Sequence, residues 1–558
     1  MMLCRINRTM ITQVMPNIVS LFPNVVILQS VTSASRSITR EVSAFGKRII
    51  FFLFIPILII PYVCFCEELE VSKKNEYIAS SQEDKILRIG LVDCIAYALK
   101  NNSEIKLKRI EPIIQDKEIN KAGVKFEPYL TLETALEDTK EQSSSSTLFS
   151  PAISTSTTAK VNAALEGRLP TGTEYSIDFE NKKYKSSASY QVINPYYKTD
   201  ATITITQPLL KGAGLLVNRA DIIIAQNSKS ISQEDFRKEV SDILSKTKTA
   251  YYDFIFSLGA HKIANLFYEY NKKLYEINKK RYGAGLISSV GLLETESAFI
   301  KREKILLESS SKIRQAEDNL KLITNLIDDP KLWNARIEPI GEPVYNPQRF
   351  ELSESLKSAF ENRPDYKKSK IDLSTKDIRI KLAKNSIYPE VDLVGSFGLN
   401  GLNGTYPGAL DNLKDDYRDY SIGLEVKIPL GNAYATSDYE KRNLEKTQAL
   451  ITFKRLEENI VLEVRDSIRQ LELQQKQIEV AKKRKEMETK SYLAQESRFK
   501  EGLISTHDLL DFQERLAQSE LEYVRALIDY ELALIRLDEV TGLTLTKNNV
   551  RIEDQMKP

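Results

Sequence analysis

Arg281-Tyr-Gly-Ala-Gly-Leu-Ile-Ser288 returns as Arg498-Phe-Lys-Glu-Gly-Leu-Ile-Ser505, 217 residues later (498 minus 281). In each case a long proline-free stretch precedes the glycine and a seven-residue apolar repeat follows the serine. That arrangement predicts a helix ended by glycine in the left-handed conformation and a second helix started by a serine cap. Outward from these turns the duplication continues. Ala98-Leu-Lys-Asn-Asn-Ser-Glu104 aligns with Ala359-Phe-Glu-Asn-Arg-Pro-Asp365 at an offset of 261 (359 minus 98), which also carries Ile110, Ile119, Ala122 and Pro128 onto Ile371, Ile380, Ala383 and Pro389. Gln207-Pro-Leu209 meets Ile428-Pro-Leu430 at an offset of 221 (428 minus 207), so the first copy holds about 40 extra residues between its prolines. The chain therefore reads as one architecture written twice.

Between the prolines the apolar period is two. Ile422, Leu424, Val426 and Ile428 alternate with polar positions such as Ser421, Glu425 and Lys427, and Val391, Leu393, Phe397 and Leu399 do so around Asp392 and Ser396. Val161, Ala163 and Leu165 alternate with Asn162, Glu166 and Arg168. Such strands suit a membrane β-barrel, and a half-exposed soluble sandwich alternates identically. Leu165-Glu-Gly-Arg-Leu-Pro-Thr-Gly172 followed by Tyr175, Ile177 and Phe179 predicts strand, tight turn and strand, hence four strands in the first copy and two in the second. Glu141 to Ser150 and Asn181 to Asp200 read as polar extracellular loops.

After each second proline comes a stretch of helical character. Ser437 to Glu501 has no proline or glycine, and Asn218 to Tyr282 has only Gly259. Each predicts roughly 97 Å of helix at a rise of 1.5 Å per residue. Beyond Gly502, Leu509, Leu516, Tyr523, Tyr530 and Leu537 recur every seven residues, with Phe512, Ser519, Ala526 and Ala533 three places after the first four. Leu292, Phe299, Leu306, Ile313 and Leu320 repeat the seam in the first copy, which predicts supercoiled helix packing. The run Lys482-Lys-Arg-Lys485 reads as a solvated helix face.

The counts exclude much. With 79 basic against 77 acidic residues, the 558-residue chain lacks the one-signed surface of a nucleic-acid binder. Its four cysteines, Cys4, Cys64, Cys66 and Cys94, exclude a disulfide scaffold, and two distant histidines, His261 and His507, leave no metal or triad chemistry. There is no phosphate loop ending in Lys-Ser or Lys-Thr, no His-Glu-x-x-His and no Gly-x-Ser-x-Gly, and Gly212-Ala-Gly214 reads as a backbone turn. We expect no catalytic, cofactor or metal site. Lys47-Arg48, the apolar run Ile49 to Phe65 and the acidic stretch after Cys66 predict a secretory signal, with a membrane-anchoring helix as the other reading. Lipidation at Cys64 or Cys66 is poorly served by Val63 and Phe65, and the length before Lys47 points to a translation start near Val42.

With one signal followed twice by paired strands, a long helix, a glycine turn and a shorter helix, the chain from Glu67 to about Thr546 resembles the TolC-like outer-membrane efflux protein family. Asn362-Arg-Pro-Asp-Tyr366, Gln207-Pro-Leu-Leu-Lys-Gly212, Ile428-Pro-Leu-Gly431 and the Gly-Leu-Ile-Ser turns carry the resemblance. It implies a mainly α-helical, internally duplicated fold in which a homotrimer completes a membrane β-barrel and a long α-helical barrel. It also implies an exit duct of a tripartite efflux or type I secretion system, set in outer-membrane lipid and working with a periplasmic adaptor and an inner-membrane pump or ABC transporter. An adaptor of the membrane-fusion type is the alternative. By the same resemblance Asp508 and Asp511 narrow the pore, although Ser505 and Asp508 also read as a helix-cap pair. Gly291 and Glu294 replace that pair in the first copy, and Phe499 and Ile504 stand where the family's representative has a tyrosine–arginine lock. The turns Gly285, Leu286, Ser288 and Gly502, Leu503, Ser505 are expected to dock the adaptor, with Ile287 and Ile504 exposed beside them. The expected organisation is a signal region at 1–66, a first repeat at 67–327, an equatorial segment at 328–355 around Trp333, a second repeat at 356–546 and a tail at 547–558.

Overall fold

The computed structural model describes residues 86–142, 153–187, 191–328, 330–341, 345–414 and 417–552, all within the unit Gln82–Pro558. The expected signal region, with Cys64, Cys66 and the expected start near Val42, lies outside the described residues.

The first copy runs β1 (Ile86–Ile89), α1 (Leu91–Asn101), α2 (Ser103–Gly123), β2 (Tyr129–Gln142), β3 (Ile153–Arg168), β4 (Glu174–Ser186), β5 (Tyr196–Pro208), α3 (Leu215–Gly283) and α4 (Ser289–Ile323). After β6 (Arg336–Pro339) the second runs α5 (Leu352–Asn362), α6 (Pro364–Ile387), β7 (Glu390–Asn403), α7 (Tyr406–Asn412), β8 (Arg418–Lys427), α8 (Ala433–Lys500) and α9 (Thr506–Val540). Helices α3 and α8 have 69 and 68 residues, each about 100 Å long. Along α9 the seven-residue seam is the packed side: Leu509, Leu516, Tyr530 and Leu537 are buried, and Ser519 and Ala526 sit beneath them. The matching seam of α4 is only half-buried except at Leu320. Gly259 lets α3 approach α9, because a Cβ there would meet Val524 at 3.1 Å.

The six long strands form one sheet, ordered β2-β3-β4-β5-β7-β8 and antiparallel throughout. Four come from the first copy and two from the second. Pro128 and Pro389 open β2 and β7, so the extra residues of the first copy are the hairpin β3–β4. Asn181 to Asp200, expected to be a loop, is mostly strand: the ladder continues through Asn181↔Thr199, Lys182↔Lys198 and Tyr184↔Tyr196. Polar side chains there mark the end of the apolar band, while the backbone still needs its ladder partners. Glu141 and Gln142 likewise end β2, and the remainder of that expected loop lies outside the described residues.

Register sorts the two faces. Leu130, Leu165, Ile177, Ile203, Phe397 and Tyr420 are paired in turn across all six strands, and so are Tyr129, Glu166, Ser176, Thr204, Ser396 and Ser421. Directly paired residues share a face, so the first row is the apolar side and the second the polar side. Among the described residues the only other sheet is the parallel pair β1–β6, so no second layer covers the apolar side. Leu130 is 64% exposed, Ile422 80% and Leu424 60%. A soluble sandwich would bury this face, whereas hydrocarbon covers it without further protein.

The strands are locked to the helices at one end. Asn218 Nδ2 donates to the carbonyls of Gly212 (2.7 Å) and Gly214 (3.0 Å), and Asn385 Oδ1 accepts from Gly212 N at 2.8 Å. The β3–β4 turn is seated on this junction. Gly214 N donates to Thr171 O at 3.1 Å, and Gly172, with φ +97°, lies so close that a Cβ would meet Gly212 O at 2.5 Å. At the middle of the helices, β1 pairs with β6, so the stretch around Trp333 shares its small sheet with the start of the first repeat. Trp333 is half-buried: Lys321 lies 5.7 Å over its ring and donates to its carbonyl. Ile552, in the expected tail, packs with Ile95, Ile105 and Phe236.

Candidate functional site

The two glycine turns form the ends of the long helices farthest along the chain from the strands. In the first, Gly285 N donates to Tyr282 O (2.9 Å) and Leu286 N to Arg281 O (2.8 Å). In the second, Gly502 N donates to Phe499 O (3.0 Å) and Leu503 N to Arg498 O (2.9 Å). This pair of bonds satisfies the last carbonyls of a helix and requires a left-handed residue, which the glycines supply at φ +73° and +79°. A Cβ would meet nothing within 4 Å at either glycine, so alanine is opposed only by backbone conformation. Gly502→Ala is expected to destabilise the turn by about 1 kcal/mol, read as a lower unfolding midpoint with unchanged helix content.

The serines then start the next helices. Ser288 Oγ accepts from Gly291 N at 3.3 Å, and Ser505 Oγ accepts from Asp508 N at 3.2 Å. Only the second turn closes reciprocally, because Asp508 Oδ2 accepts from Ser505 N at 3.1 Å and from Ser505 Oγ at 2.6 Å. The glycine at 291 has no side chain to do the same. Hydrogen bonds from the Ser505 side chain and backbone hold the Asp508 carboxyl below the usual carboxylate range. Asp511 pairs with Arg515 at 2.6 Å, one turn on. Both aspartates are exposed, while Leu509 between them is buried.

Behind the turns, Phe267 and Leu274 of α3, Tyr492 and Phe499 of α8, and Leu509 and Leu516 of α9 form one apolar cluster, with Ile504 packed against it. Phe499 is 9% exposed under the Arg281 guanidinium, 5.5 Å from its ring. The positions of the family's lock are thus occupied by packing. Leu286 and Leu503 are 72% and 62% exposed, but Ile287 and Ile504, expected to be exposed, are half-buried. Arg302 and Lys301 of α4 reach Glu514 of α9 at 3.3 and 2.9 Å, tying the two hairpins together.

Sequence reasoning missed the role of Asn362-Arg-Pro-Asp-Tyr366. Arg363 donates to Asp365 through Nε (3.1 Å) and Nη2 (2.7 Å), to Glu463 of α8 (2.6 Å) and to Val540 O at the end of α9 (3.3 Å). Burial by itself would raise the Asp365 carboxyl, but the Arg363 hydrogen bonds and charge overcome it and hold that carboxyl low. The motif is a clamp joining α6, α8 and α9. Among the described residues no group of His, Cys, Asp and Glu could hold a metal ion, and no helix is long and apolar enough to cross a membrane.

Comparison with known proteins decides the lineage. The profile of the outer membrane efflux protein family matches residues 95–326 and 355–543, which is most of the chain and both copies. The chain belongs to the outer membrane efflux protein family. Members of this family are transport channels rather than enzymes, and the adaptor reading is not favoured. Nodulation protein T of Rhizobium leguminosarum bv. trifolii is 22% identical over 300 residues, 52% of this chain, and the chain spans 60% of that relative's length. The Campylobacter jejuni CmeC outer membrane channel is similar in structure, with a TM-score of 0.58 at 16% identity over 84% of this chain and 89% of that one. The outer membrane protein VceC of Vibrio cholerae has a TM-score of 0.58 at 15% identity, covering 81% and 96% of the two chains. These likenesses establish the TolC-like fold.

Proposed function

We propose that this chain is the exit duct of a tripartite efflux or secretion machine, a passive conduit across the outer membrane and periplasm. The observation that carries this reading is the single six-stranded sheet, apolar on one face and uncovered there among the described residues, joined by short turns to two helices of nearly 70 residues. A sheet with open edges is not viable in lipid, and closure by symmetry removes the edges; we read the assembly as a homotrimer. Fractionation should place the protein in the outer membrane at the native mass of three copies. A periplasmic monomer would overturn the reading.

In that assembly the glycine turns are the periplasmic end, where the exposed Leu286 and Leu503 offer apolar contact to an adaptor's helical hairpin. Cysteines introduced at Ser288 and Ser505 are expected to crosslink the adaptor in cells. Capture only from positions in the strand loops would place the docking end elsewhere. Asp508 and Asp511 lie three residues apart on the exposed side of the starting helix, so three copies would set six carboxylates around the axis. Replacing both with alanine should lower cation preference in planar bilayers while the trimer persists. Unchanged selectivity would leave Asp508 as a helix cap and Asp511 as the partner of Arg515. The inner-membrane partner would be a pump or ABC transporter that sets the cargo.

A further inference from the structure

We propose that the inserted hairpin β3–β4 is barrel wall rather than plug, so that three copies close a single eighteen-stranded barrel by pairing β8 of one copy with β2 of the next. The inference rests on the trimeric duct proposed above and adds the number of strands and the mode of closure. The hairpin is laddered on both sides along its length, from Tyr129↔Glu166 to Gln142↔Ile153 on β2 and from Glu174↔Thr206 to Tyr184↔Tyr196 on β5. A segment folded into the lumen would leave one of those ladders open.

Its side chains obey the same division of faces as the rest of the sheet. Leu165 and Ile177 lie in the row that joins Leu130 to Ile203, while their neighbours Glu166 and Ser176 lie in the polar row. A plug would carry polar residues on both sides, because both would meet water. The tight turn, seated against Gly212 and Gly214, sets the hairpin at the same height as its neighbours.

The two free edges suit each other. With six strands in strict up-and-down order, β2 leaves the helical end and β8 returns to it, so β8 of one copy meets β2 of another antiparallel. An odd number of strands would force a parallel seam. Both edges alternate in the same sense, Leu130 and Leu132 on one side of the seam and Ile422 and Leu424 on the other belonging to the apolar face, so the band continues across it. Every residue of β8 is exposed, as an edge awaiting a partner must be. At a strand spacing of about 4.8 Å and a tilt of about 40°, eighteen strands enclose a barrel about 36 Å across, against about 24 Å with the hairpin left out.

The test uses the full-length protein with its native cysteines replaced by alanine, in lipid vesicles, carrying a fluorophore on one introduced cysteine at Leu165, Ile177 or Ile422. Nitroxide-labelled phospholipid is expected to quench all three several-fold more than aqueous iodide does. Lipid quenching at Ile422 with iodide quenching at Leu165 and Ile177 would remove the hairpin from the wall and overturn the inference, while leaving the membrane duct intact. No lipid quenching at any of the three would overturn the duct and the inference with it. In the same background, cysteine at Thr131 paired with cysteine at Ser421, Gly423 or Glu425 should lock copies into a ladder ending at three. Failure of every pair, with lipid quenching retained, would exclude the β8-to-β2 seam.

Discussion

Ile203→Arg is expected to prevent assembly in the membrane, and Thr204→Arg, one residue on, to leave assembly intact. Both lie in β5, at the centre of the sheet, and Ile203 is paired with Ile177 and Phe397 on the apolar face while Thr204 is paired with Ser176 and Ser396 on the polar one. An arginine facing hydrocarbon near mid-membrane costs about 2–4 kcal/mol in each copy, and one facing a water-filled lumen costs little. Outer-membrane fractionation together with urea unfolding from vesicles reads the difference. Equal behaviour of the two variants would mean that both faces meet the same solvent, and the barrel reading would fall.

Arg363→Ala should produce a large loss of stability for a change outside the apolar clusters. The guanidinium side chain is 12% exposed and is bound by two carboxylates and the carbonyl of Val540. Its removal leaves Asp365, Glu463 and that carbonyl facing one another without a cation. Loss of one partner of a fully sealed pair costs 3–5 kcal/mol; with Glu463 40% exposed, we expect about 2–3 kcal/mol. The variant should also change the response to acid. Because the folded-state pKa of Asp365 is depressed, its contribution to stability is present above the ordinary carboxylate pKa and is lost as pH falls through the lower folded value. The parent protein should therefore weaken below about pH 4, and Arg363→Ala should show a shallower dependence. Chemical unfolding of the two across pH 3–7 measures both effects. Parallel curves would place the clamp's contribution in packing alone.

Much of this was legible because it rests on local periodicity. Glycine at 285 and 502 followed by serine at 288 and 505 specifies its backbone without reference to anything distant: left-handed φ, two hydrogen bonds to the preceding turn and a side-chain cap on the next. The period of two in β7 and β8 and the period of seven in α9 are equally local, and the structure follows both. The ends of β4 and β5 were misread because composition marks where the apolar band stops, whereas the ladder stops only where backbone partners run out.

By itself the sequence determined the duplication, the succession of strands, long helix and shorter helix in each copy, the inserted hairpin and the two glycine turns, since each is a matter of spacing along one chain. Between a soluble sandwich and a membrane wall the alternation of the strands does not choose, and it is the three-dimensional sheet that supports the second reading. Alternation sorts side chains to two faces of a strand but does not say what covers either face; that depends on six strands aligning their apolar residues in one register with no second layer over them among the described residues. The same limit applies to Arg363. Asp365 is its neighbour in the chain, but Glu463 and Val540 lie 100 and 177 residues away, and only packing of α8 and α9 against α6 brings them to one guanidinium.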